Sequence, residues 1–115
     1  MGTATSARAA DSEDKLAGLE HRLREVRDYL QNAKRRLDEE IRHYPTPIPR
    51  CDAQFNHLFE ERARVNLALE RIESSTSGRH VELLAEFVRS PAYLDDAAEA
   101  ELRARIGAVL STLTG

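Results

Sequence analysis

Apolar residues recur along the first third of the chain at Leu16, Leu19, Leu23, Val26, Leu30, Ala33 and Leu37. The steps alternate between three and four residues, the a/d spacing of a heptad repeat, which keeps one stripe turned toward a partner helix. A second stripe follows at Phe55, Leu58, Val65, Leu69 and Ile72, with Arg62 standing at a seam position. Between the two lies Tyr44-Pro45-Thr46-Pro47-Ile48-Pro49. Proline stops a helix and holds the residue before it extended, so this segment reads as a stiff corner. Two heptad-patterned helices joined by such a corner predict an antiparallel coiled-coil hairpin over residues 12–76, with the corner at 44–49.

Residues 1–11 are small and polar and carry no periodicity, so they read as a disordered tail. The first helix is expected to start at Asp11 or Ser12, where either residue can cap it, and to run to His43. The second is expected from Pro49–Asp52 to Ser75, where Ser74-Ser75-Thr76-Ser77-Gly78 ends it, with Gly78 as a left-handed residue. Helical pairs at i,i+4 are expected in Glu20 with Arg24, Asp38 with Arg42 and Glu60 with Arg64.

Two shorter helices are expected over residues 77–115, within the same domain. The first spans His80 to Arg89 and is broken by Ser90-Pro91. The second spans Asp96 to Leu113 and opens on a capping box of Asp96 with Glu99. They follow directly from the base of the hairpin, so packing near Leu16 to Leu23 and Leu69 to Ile72 is the simplest arrangement. With the corner centred near residues 46 and 47, Phe55 is expected opposite Leu37, Leu69 opposite Leu23, and Arg62 opposite Leu30 and Ala33. Arg62 either fixes this register or runs its stem along the seam and reaches Asp28 or another surface carboxylate.

A two-helix hairpin buries too little to stand alone, because each helix hides only one stripe. Phe59, Ala63 and Leu67 lie off the seam of the second helix. The C-terminal helices or a second copy of the chain must cover them, and the hairpin is too long for two short helices to cover. Homodimerisation through Phe59, Ala63 and Leu67 is therefore expected.

Composition narrows the function classes. Charged residues are 32% and aromatics 5%, a balance that suits helices with a narrow buried stripe and disfavours a sandwich core. Apolar content of 41% is too high for a wholly disordered chain. The net charge of −3 offers no global field for nucleic acid or anionic lipid. Arg22, Arg24, Arg27, Lys34, Arg35 and Arg36 are interleaved with Glu20, Glu25, Asp28, Asp38, Glu39 and Glu40, which cancels most of their field. The single cysteine, Cys51, precludes an intramolecular disulfide and fits a reducing compartment. With no secretory pattern and no apolar run of membrane length, a cytoplasmic protein is expected.

The corner carries the most conspicuous chemistry: His43, Cys51, Asp52 and His57. These are transition-metal ligand types, but the spacing contains no C-x-x-C or H-x-x-x-H pair. Cys51 in the first turn of a helix could also have a lowered thiol pKa, which would suit redox sensing. Packing explains Cys51, and helix capping explains Asp52, without any ligand. Adjacent carboxylates such as Glu60-Glu61 diverge around a helix, so no acid–base pair converges and no enzyme is expected. The reading is a non-enzymatic interaction or scaffold protein without a cofactor or metal. Its unidentified protein partner would touch Ile48, Arg50, Asp52, Gln54 and His57. A metal- or redox-responsive corner and a nucleic-acid-associated helical protein are the alternatives.

Overall fold

The computed structural model describes the backbone of residues 2–47, 52–75 and 77–114, and side chains over 14–47, 52–75 and 78–113. Among the described residues the order is α1 (Gly2–Arg42), α2 (Ala53–Glu73), a 3-10 turn (Ser77–Arg79), α3 (His80–Arg89) and α4 (Ala97–Thr114), with no strand. The fold is all-α and elongated, with extents of 74 × 24 × 17 Å. No described helix is long and apolar enough to cross a membrane.

The first correction is at the start of the chain. α1 begins at Gly2, not at Asp11 or Ser12. Adding a residue to an existing helix is far easier than nucleating one, and Ala4, Arg8, Ala9 and Ala10 are good helix formers. α2 begins at Ala53 because Asp52 accepts a 2.9 Å bond from the Phe55 amide and caps it. It ends at Glu73, where the Ser74 amide and hydroxyl both bond to the Glu70 carbonyl. Gly78 is not left-handed; it sits inside the 3-10 turn.

The heptad stripe does become the core. Leu19, Leu23, Val26, Leu30, Ala33 and Leu37 of α1 are buried together with Leu58, Val65 and Leu69 of α2. Leu16 departs from the expectation and is 40% exposed. α2 has already ended at Glu73, so it does not extend alongside the start of the stripe. At the opposite end of α2, Tyr44 donates to Asp52 (2.7 Å) and its ring lies 4.9 Å from that of Phe55. Ile72 lines a cleft with Leu23. Arg62 reaches a partly exposed carboxylate as expected, and it is Asp38, at 3.2 Å, rather than Asp28. Helical side chains lean toward their own N-terminus, which carries the guanidinium toward the corner and up α1. Charge pairing also differs from the expected pattern: Asp38 is taken by Arg62, and Arg64 pairs with Glu61 rather than Glu60.

α3 keeps its predicted bounds and adds Leu83, Leu84 and Phe87 to the core; α4 adds Leu102 and Ile106. These helices reach beyond the base of the α1–α2 pair. Asp96, just before α4, meets Tyr29 and Arg36 at the middle of α1, and Arg105 pairs with Glu25. Partway along, α1 therefore carries α2 on one flank and α3 and α4 on another.

Candidate interaction surface

α2 turns three groups outward. Phe59 is 39% exposed, Leu67 is 60% exposed, and Ala63 between them is also exposed. Intramolecular packing thus leaves uncovered the residues that the off-seam pattern singles out. They do not share one environment. Phe59 belongs to an aromatic ladder near the corner: its ring lies edge-on to Phe55 at 4.9 Å, and the Arg62 guanidinium sits 4.8 Å from its centroid. Tyr44, Phe55, Phe59 and Arg62 form a continuous stack, anchored by Asp52 at one end and Asp38 at the other. Such ring pairs and guanidinium contacts add to the apolar burial of the group.

Leu67 lies instead at the edge of a cavity of 350 Å³ between α1, α2 and α3. Its floor is Val26, Leu30, Ala68, Leu83 and Phe87. Two arginines of α2 span it toward the α3 side. Arg71 pairs with Glu86 at 2.6 Å, and Arg64 donates to the Pro91 carbonyl at 2.8 Å while stacking 4.4 Å over Tyr93. Leu67 falls between these two bridges on the same helix.

Of the corner residues assigned to partner contact, Asp52 is committed to capping α2 and to Tyr44. The Phe55 amide above all, and then the Tyr44 hydroxyl, hold its carboxyl below the usual range. Gln54 and His57 are exposed on the first turns of α2. Ile48, Arg50 and Cys51 lie outside the described residues. His43 Nδ1 lies 3.0 Å from the Glu39 carbonyl oxygen of its own helix. Among the described residues no group of three His, Cys, Asp or Glu side chains is placed to hold a metal ion. The basic residues of α1 expected to face mixed charge are partly paired within the chain, Arg22 with Glu25 and Arg36 with Asp96.

The most heavily bonded side chain among the described residues was not singled out as a buried residue by its sequence position. Glu99 is 1% exposed. It accepts from the amides of Tyr93 (2.9 Å), Leu94 (3.0 Å) and Asp95 (2.8 Å), from the Tyr29 hydroxyl (3.3 Å) and from Arg103 (2.8 Å). Burial pushes its carboxyl up, but the amide bonds and Arg103 outweigh burial and hold it below the ordinary range. Asp96 caps α4 by accepting from the Glu99 amide at 2.9 Å, one half of the expected capping box; in the other half Glu99 takes the Asp95 amide in place of that of Asp96. Arg103 continues the network to the carbonyls of Val88 (3.0 Å) and Ser90 (2.9 Å) and lies 4.9 Å over the Phe87 ring. Asp95 adopts a left-handed φ of 56°, tolerated by its short polar side chain, and turns its amide onto Glu99. The Glu99 carboxylate is surrounded by donors that belong to the fold, so this knot fixes the α3–α4 turn against α1. The capping spacing and the i,i+4 spacing of Glu99 with Arg103 were the available signals; the long-range donor Tyr29 had none.

No family model, curated protein or solved structure matches this chain.

Proposed function

We propose that this chain is a non-enzymatic helical interaction protein in which α1 and α2 form an antiparallel coiled-coil hairpin. The outward face of α2 serves self-association into a homodimer and presents the corner to a protein partner. The observation that carries the reading is the pair of exposed apolar side chains, Phe59 and Leu67, on a helix whose opposite face is already buried. An apolar stripe left in water favours burial by roughly 25 cal/mol per Å² removed, which is the driving force for helix-on-helix association. The aromatic stack of Tyr44, Phe55 and Phe59 stiffens the corner and gives a partner a preorganised surface beside Gln54 and His57.

Sedimentation equilibrium tests this directly. The full chain is expected to be a dimer at micromolar concentration, unchanged by reductant and by Cys51→Ser. Phe59→Glu or Leu67→Asp should shift it toward monomer with helicity retained. A wild-type chain that stays monomeric at high concentration overturns the reading.

A further inference from the structure

We propose that the homodimer is closed by reciprocal insertion: Leu67 of each copy enters the cavity between α1, α2 and α3 of the other. This rests on the self-association reading above and assigns it an acceptor site. The argument starts from the adjacency of a projection and a hollow on one surface. Leu67 is 60% exposed, and the 350 Å³ cavity it borders is floored by Val26, Leu30, Ala68, Leu83 and Phe87. A two-fold axis presents the same patch on both partners, so a patch holding both a knob and its hole is complementary to itself. Leu67 cannot fill the hole of its own chain while its side chain faces solvent.

The edge of the cavity supports the same occupant. Arg71–Glu86 and Arg64–Glu61 are neutral pairs, so the rim carries neither the excess positive charge that would select an anionic ligand nor a like charge that would repel a copy. Arg71 and Glu86 are paired with each other within the chain yet each is more than two-fifths exposed, so the pair offers both charges to the opposite charges of the same pair across a two-fold axis. Leu67 stands between Arg64 and Arg71, so the aperture between the two arginine bridges is about 10 Å long along the helix. That admits an aliphatic side chain and shuts out a whole helix.

The test fills the hole without removing the knob. Ala68→Phe places a ring in the cavity from its own chain and leaves Leu67 in place. Sedimentation equilibrium should show the dimer dissociation constant raised at least about 10-fold, the scale of losing one buried aliphatic anchor. An unchanged constant with the wild type dimeric overturns the insertion while leaving self-association standing. A wild-type monomer overturns both. A trapping experiment decides the matter if Ala68→Phe disturbs folding. In a Cys51→Ser background, chains carrying Leu67→Cys are mixed with chains carrying Ser90→Cys, a residue of the cavity wall, and oxidised with diamide. Disulfide-linked heterodimers should dominate over either homodimer. A yield no greater than random pairing excludes the insertion.

Discussion

Glu99 shows how much one residue can hold in this fold. Its carboxylate collects three turn amides, the Tyr29 hydroxyl and Arg103 in a site nearly closed to water. Glu99→Ala would leave a mostly buried guanidinium and several amides without an acceptor, and removing one partner of a buried pair costs about 3–5 kcal/mol. Chemical denaturation should register that loss, with Glu99→Gln intermediate because it keeps one carbonyl acceptor. A loss under about 1 kcal/mol for the alanine variant would place the knot outside the cooperative unit. Arg62–Asp38 makes a useful contrast. It joins α1 to α2 at 3.2 Å, but both side chains are about one-third exposed, so the pair contributes under about 1 kcal/mol. The position of Arg62 at a seam site was legible in the sequence. Its partner was not, because the direction a long side chain leans depends on the helix that presents it.

At the scale of elements, the heptad stripe translated into burial with little loss. Leu30 and Val65 are fully buried where the α1 and α2 stripes merge. Leu30→Ala should cost about 2–5 kcal/mol, the range for deleting a fully buried leucine that leaves a partly collapsed cavity. Leu16→Ala, on the same stripe but half in solvent, should cost far less. Thermal melting of the two variants separates them, and equal losses would show that Leu16 is covered in solution. The pattern could not reveal where the stripe ceases to be covered, since that depends on where α2 ends and on how α4 lies along α1. It also could not reveal how far α3 and α4 travel along α1. That reach is set by the contacts of Asp96 with Tyr29 and Arg36, two residues widely separated from it in sequence.

At the scale of the whole molecule, the polar knot makes stability depend on pH at both edges. Glu99 and Asp96 have carboxyl groups held below their ordinary values, so the unfolded chain binds more protons in acid. Their contribution is complete above the unfolded carboxylate pKa of about 4 and is lost as the pH falls through the folded values. Tyr29 has the opposite sign. Burial, then the bond to Asp96 and the charges of Glu99 and Asp96, raise its phenol above the ordinary value of 10.0. Its contribution is complete below that value and is lost as the pH climbs above it. Denaturation midpoints measured across pH should therefore be flat near neutrality and fall at both ends. Tyr29→Phe should reduce the alkaline fall and leave the acid one, with a smaller remainder from Tyr44, whose phenol the bond to Asp52 also raises; an undiminished alkaline fall would assign that edge to other groups. The sequence by itself determined the all-helical class, the α3 bounds, the Asp96–Glu99 cap and the core stripe. Each of these depends on spacing within one helix, and backbone geometry fixes that spacing. Tertiary structure alone decided the cover of Leu16, the partner of Arg62, the cavity beside Leu67 and the burial of Glu99. Those depend on which helices meet and at what height, a property of side-chain volumes and polar satisfaction summed over the whole chain.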